Sequence, residues 1–208
     1  MKLVAFNGSP REKGNTAAVL ERICGKLEQE GIETETFLVG NIPVSGCQAC
    51  GWCKNHKGRC VVEKDPVNLW MEKMREADGI LLASPIYFAG ITGPMKAFLD
   101  RAFYAAWASG GLFRHKIGAA FTVARRAGCL QGLDQLNHYL LYSEMLIAPG
   151  NYWNVVYGHH KGDTARDEEG MQIIDRMTEN LRYFLSMKAQ STLKPPEPAG
   201  KIFTNFIR

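Results

Sequence analysis

A chain of 208 residues, 46% of them apolar, is long enough for one substantial domain and carries the material for its core. The net charge of +4 comes from Lys and Arg scattered beside Asp and Glu, which argues against a nucleic-acid-binding stripe and leaves a mild attraction for anionic ligands. No apolar run reaches the length of a membrane span, and the opening MKLVAFNGSP is too short for a signal peptide, so a cytoplasmic protein with reduced thiols is expected.

Residues 2–6 are a short apolar run closed by Asn7-Gly8, which suits a buried strand entering a loop. A helical pattern begins at Asn15, with Leu20, Ile23, Cys24 and Leu27 on one face, and residues 33–39 read as a second strand. Asp65-Pro66 has the form of a helix start, an Asp cap before a Pro at the first helical position, followed by Val67, Trp70 and Met74 at helical spacing. Residues 79–84 are the clearest buried strand, 94–104 the next helix and 117–124 a fourth strand. Leu133, Leu136 and Leu140 mark a further helix, residues 151–157 a fifth strand, and 167–187 the last helix. Strands alternating with helices in this way specify a doubly wound, flavodoxin-like α/β fold: a five-stranded parallel sheet of order 2-1-3-4-5, with a cysteine-rich loop after the second strand. The expected domain covers residues 1–187, with 46–63 as the inserted loop. The tail, 188–208, carries KPPEP and then Ile202, Phe203, Phe206 and Ile207, which should bury against this domain or a neighbouring subunit.

In such a sheet, ligands lie beyond the carboxyl ends of the strands. The loop after the first strand, GSPREKGNT, runs into a helix start and offers amides, a positive dipole end, hydroxyls and Arg11, a set suited to a phosphate. It matches neither the Gly-Lys-Ser/Thr phosphate loop nor the Gly-x-Gly-x-x-Gly fingerprint, and an ordinary capped turn would use the same residue types. The loop after the third strand, SPIYFAGITG, offers apolar and aromatic walls for a flat ring. VARRAG, ending the fourth strand, adds Arg125 and Arg126, which as surface arginines would need no ligand, and Asn154 is a weaker candidate from the fifth strand.

GSPREKGNT together with SPIYFAGITGPMKAFLDR resembles the NADPH-dependent FMN reductase and flavodoxin-like oxidoreductase family, and the resemblance runs from residue 1 to about 185. It implies FMN as cofactor. Ser9, Arg11, Gly14, Asn15 and Thr16 would hold its phosphate, Pro85, Ile86, Tyr87, Phe88 and Gly90 would pack along its ring, and Arg125 would counter charge beside it. It also implies NAD(P)H as electron donor, a flavin, quinone or other small acceptor or a redox protein as partner, and a homodimer or homotetramer. The basic charge departs from the small acidic flavodoxins that shuttle electrons, which favours a reductase over a carrier.

Cys47, Cys50, Cys53 and Cys60 form C-x2-C-x2-C-x6-C, a compact thiol spacing of the iron–sulfur kind, although Val61 stands where bacterial ferredoxins place proline. A dithiol redox pair and a zinc site are the alternatives. The spacing resembles the iron–sulfur flavoprotein branch of the family, which implies a 4Fe-4S cluster on these four residues exchanging electrons with FMN. The histidines give no metal pattern, and no paired carboxylates or Ser-His-Asp set suggests hydrolysis.

Overall fold

The computed structural model describes residues 1–204 and 206. Six strands, β1 (Lys2–Asn7), β2 (Glu33–Leu38), β3 (Gly79–Pro85), β4 (Ile117–Ala124), β5 (Leu146–Ile147) and β6 (Val155–Tyr157), form one sheet. Its order is β2-β1-β3-β4-β5, with β6 also on β4, and all strand pairs are parallel. The flavodoxin-like order read from the alternation of elements is the order observed.

Period-two alternation decides which face each strand residue serves. Leu3, Ala5, Leu81, Ala83, Ala119 and Phe121 pack with helices α1 (Asn15–Gln29) and α5 (Glu168–Gln190). Val4, Phe6, Ile80, Leu82 and Ala120 pack on the opposite side with α2 (Val67–Glu76), α3 (Gly93–Ala108) and α4 (Cys129–Tyr142). β1, β3 and β4 are therefore nearly continuous apolar runs, as strands covered on both faces must be. β2 is the edge, ETETFL, and its Glu33 and Glu35 pair with Lys2 at 3.2 and 3.0 Å.

Three local expectations need correcting. The fifth strand is split: after β5 the chain leaves the ladder at Pro149, which has no N–H to give, and returns where Thr122 N donates to Asn154 O at 3.1 Å. Asp65 is not a free cap for α2, because its carboxylate is committed to Arg101 and it accepts from Val67 N only at 3.4 Å. α5 continues to Gln190, and its N-cap is Asp167, which accepts from Gly170 N at 3.0 Å.

The tail after α5 does not bury its apolar residues on its own domain, for Ile202, Phe203 and Phe206 are all exposed. It touches the body through Arg114, which donates to Pro196 O at 3.2 Å, and Lys201, which donates to the Tyr142 hydroxyl at 3.0 Å. Ile207 lies outside the described residues. Among the described residues no helix is long and apolar enough to cross a membrane.

Candidate functional site

The first loop is fixed by its own short side chains. Asn7 Oδ1 accepts from Ser9 N at 2.9 Å, and Ser9 Oγ accepts from Arg11 N at 3.1 Å, so each polar residue shapes the next turn. Gly14 caps α1 with no side-chain hydrogen bond, which leaves the first amides of a four-turn helix open toward the cleft. A Cβ on Gly14 would stand 3.0 Å from Arg11 Cβ and 3.3 Å from Arg11 O, so a side chain there would press on the loop.

The second loop is tied to the first. Thr92, the N-cap of α3, donates its hydroxyl to Gly8 O at 2.8 Å, while its amide donates to Ser84 Oγ at 3.2 Å. Tyr87 and Gly90 exchange backbone hydrogen bonds at 3.0 and 3.1 Å across a tight turn. Phe88 and Ala89 form that turn with φ of +50° and +58°, a left-handed pair that usually falls to Asn-Gly.

These loops enclose a cleft of about 430 Å³. Its lining is Ser9, Arg11, Lys13, Gly14, Asn15 and Thr16, then Pro85, Ile86 and Tyr87, then Val123, Ala124 and Arg125, then Gly158, His159 and Lys161. Four strand ends thus contribute, at the edge where a doubly wound sheet presents its ligand site. Arg11, Lys13, Arg125 and Lys161 supply positive charge, and among the described residues no carboxylate lines the cleft. One end is cationic and rich in amides, and another is walled by Pro85, Ile86, Tyr87 and Val123, an arrangement suited to an anionic group joined to a flat apolar body.

Most of the residues expected from sequence stand on this wall; Phe88, Gly90, Asn154 and Arg126 do not. Phe88 points fully into solvent and Gly90 lies beside Gln135, so neither lines the cleft. Asn15 is there, and its side chain also bridges to the fourth wall: Nδ2 donates to His160 O and Oδ1 accepts from Gly162 N, each at 2.9 Å. Asn154 does not reach the site; its amide donates to Ala120 O and accepts from Gly150 N, both at 3.1 Å, which pins the two halves of the split strand together. Arg126 is exposed and off the wall.

Lys13, Gly158, His159 and Lys161 are cleft residues that sequence reasoning passed over. The signal was present, because Gly158 directly follows β6 and the strand-end rule applies to the last strand as to the first. A Cβ on Gly158 would stand 2.7 Å from Asn15 Nδ2, so that glycine is what lets the fourth wall close on α1.

The four clustered cysteines lie elsewhere, around a second and much smaller cavity against the flank of α3. Cys47, Cys50, Cys53 and Cys60 all line it, with Arg101, Tyr104 and Ala105 behind them. Cys47 and Cys50 are exposed, Cys53 is buried and Cys60 is intermediate, all as free thiols. Burial pushes the Cys53 thiol above its ordinary pKa, and charge on Cys60, Cys47 or Cys50 would push it the same way. Among the described residues no three His, Cys, Asp or Glu side chains stand where they could hold one metal ion. Mononuclear zinc would draw every sulfur to about 2.3 Å from one point. Four thiols around a hollow are donors of the kind that iron–sulfur clusters use, gathering four cysteines around a larger body. The cavity, about 20 Å³, holds no more than a water-sized body as folded, so its exposed side, carrying Cys47 and Cys50, must open to admit a cluster.

A family model described as NADPH-dependent FMN reductase matches residues 1–160. An iron–sulfur flavoprotein of Methanocaldococcus jannaschii is 32% identical over 179 residues, which cover 83% of this chain and 91% of that protein. An iron–sulfur flavoprotein of Archaeoglobus fulgidus is 31% identical over 191 residues, covering 88% and 96%. Among solved structures, RosB with a bound 8-demethyl-8-formylriboflavin-5'-phosphate intermediate aligns over 100% of this chain and 92% of its own, with a TM-score of 0.66 and 17% identity, a likeness of fold. By its sequence match over residues 1–160, and with the strand order and strand-end cleft of a flavodoxin-like sheet, the chain belongs to the NADPH-dependent FMN reductase family.

Proposed function

We propose that this chain is an FMN-dependent oxidoreductase in which FMN in the cleft exchanges electrons with a 4Fe-4S cluster on Cys47, Cys50, Cys53 and Cys60. Electrons enter from NAD(P)H or an iron–sulfur donor and leave to a flavin, a quinone or another small acceptor. The observation that carries the reading is the cleft, with its uncapped helix start, its four cations and its apolar wall. The relatives named iron–sulfur flavoproteins support the second half, since they match this chain over more than nine-tenths of their own length.

In this reading Ser9, Thr16 and the opening amides of α1 take the phosphate, with Arg11 and Lys13 closing over it. Pro85, Ile86 and Tyr87 keep water from one side of the ring, and Arg125 stands where it favours added negative charge. FMN, when bound, supplies the conversion between two-electron and one-electron chemistry, and the protein supplies position and electrostatics. α3 connects the two regions: it starts beside the second cleft loop and carries Arg101 about 12 Å further along its axis, at 1.5 Å per residue. The exposed Ile202, Phe203 and Phe206 support a homodimer or homotetramer that covers them.

A second reading is an electron carrier with no dedicated small substrate. It is favoured by one observation: Tyr104 lines both the cysteine cavity and an apolar surface groove with Phe103, Trp107 and Tyr142, a surface on which a redox protein could seat. Protein purified without oxygen decides between these readings. Flavin released by heat should be FMN, and iron and sulfide should be present in cluster proportion. FAD alone, or no flavin affinity, overturns the cleft assignment; iron-free protein from iron-replete anaerobic cells overturns the cluster. NAD(P)H oxidation with small acceptors marks the enzyme, and inertness until a redox protein is added marks the carrier.

A further inference from the structure

Arg101 is the largest side chain fully removed from solvent, and it is not in the flavin cleft. It projects from α3 into the wall of the cysteine cavity, and its one charge partner, Asp65, is almost as deeply buried. A buried ion pair of this kind seldom earns its place by stability alone, because apolar side chains of equal volume usually do as well or better. What the guanidinium touches suggests another use. Nε donates to Cys60 Sγ at 3.3 Å, Nη1 donates to Ser45 O at 3.3 Å and to Asp65 Oδ2 at 2.5 Å, and Nη2 donates to Val62 O at 2.8 Å. Ser45 precedes the first cysteine of the loop, and Val62 follows the last. One planar, rigid group therefore holds both ends of the cysteine loop and one of its sulfurs, a geometry an ammonium cannot reproduce.

We propose that Arg101 is the positioning residue of the cysteine cavity: it clamps the loop shut at both ends and, through Nε–H and Cys60 Sγ, raises the reduction potential of the cluster held there. The second half rests on the cluster reading above, while the first stands on the hydrogen bonds alone. An N–H donor and a positive charge beside a ligand sulfur favour the form with one more electron, and hydrogen bonds to the sulfurs are among the determinants of cluster potential. Asp65 opposes this by balancing the charge. Otherwise the loop is held at its far end by Asn68 on Cys60 N and O at 2.8 and 3.0 Å and by Ser109 Oγ accepting from Gly58 N at 2.7 Å, and at its near end by Asp65 Oδ2, which accepts from Ser45 N at 3.2 Å and is itself held by Arg101. Cys47 and Cys50, with no such anchors, depend on the Ser45 end.

The test compares wild type, Arg101→Lys and Asp65→Asn as full-length chains expressed without oxygen. Each is assayed for iron and sulfide, for cluster potential by spin-resonance titration, and, after iron removal by chelation, for amide hydrogen exchange across residues 45–62. Arg101→Lys keeps the charge and loses the fork. It should retain FMN, show a roughly tenfold smaller ratio of reduced to oxidised cluster at fixed ambient potential, equivalent to about 59 mV for a one-electron couple, and exchange the loop amides at least tenfold faster. Asp65→Asn should move the potential the opposite way, which a merely structural role would not do. Equal potentials in all three proteins, or shifts of one sign in both variants, overturn the tuning, and unchanged exchange overturns the clamp. If wild type holds no cluster, the cluster reading and the tuning fall together, and the exchange measurement still decides the clamp.

Discussion

The cleft draws its walls from four strand ends, whereas the cysteine cavity sits on the flank of α3 and draws most of its lining from an inserted loop. The cations of the first, Arg11, Lys13, Arg125 and Lys161, stand at an open rim; the cation of the second, Arg101, has no exposure at all. An open rim suits a ligand that arrives and leaves, with water screening the charges until it binds. A buried guanidinium with four hydrogen bonds suits a group that stays. The fold supplies the cleft to any chain that winds this way, while the cavity is lined by a helix residue that reaches across to a loop far from it in sequence.

The sharpest way to break this separation is Gly40→Ala. Gly40 lies where the chain leaves β2 for the cysteine loop, and its Cβ would collide with Gly8 O and the Ser9 backbone. Backbone cannot swing aside as a side-chain end can, so we expect a loss of about 2–3 kcal/mol of stability, weaker flavin binding and a displaced cysteine loop. Chemical denaturation and flavin titration of the variant check this, and a wild-type midpoint would mean that the two regions do not share this contact. Next in size, Arg11→Ala should weaken FMN binding by about 1.5 kcal/mol, roughly tenfold, with iron content unchanged. Arg166→Ala, also exposed but off the cleft wall, serves as control, and equal losses would remove Arg11 from the site.

Replacing Phe88-Ala89 by Asn-Gly should stabilise the fold by about 1–2 kcal/mol, because those residues suit the left-handed pair better. Flavin affinity should not change if Phe88 stays off the wall; a fall would show that Phe88 turns inward over bound ligand. The smallest effect belongs to Asp175, which meets Arg22 at 2.7 Å and Lys26 at 2.8 Å on the far side of the sheet from the cysteines. Arg22, then Lys26, holds its carboxyl below the ordinary value, so its contribution is present above the unfolded pKa and is lost as pH falls through the lower folded one. Asp175→Asn should cost less than about 1 kcal/mol at neutral pH, leave both regions intact and flatten the acid limb of a thermal-stability profile below about pH 4.

The strand order and the first three cleft loops were legible because period and punctuation are local. GILLAS ending at Pro85 and GSPREKGNT entering a helix say what they are without reference to the rest of the chain. What was illegible depends on partners distant in sequence. Asn15 has the composition of a phosphate ligand, yet His160 and Gly162 occupy both ends of its amide. Phe88 has the composition of a ring wall, yet a two-residue turn aims it outward. Asp65 before Pro66 has the form of a helix cap, yet a charge from α3 claims it, and Arg101 itself lay inside a quoted motif with nothing local to mark its role.

The bridge from Asn15 to His160 and Gly162 spans 145 and 147 positions of chain. A ribosome adding about 5–20 residues per second finishes that interval roughly 7–30 s after Asn15 is made. Through that time β1, β3 and β4 can already pair, but the fourth wall of the cleft does not exist, and the amide meant to hold it has nothing to grip. Closure of the cleft thus waits on residues 158–162 by topology, and a chain interrupted before them would present the first three walls without the fourth.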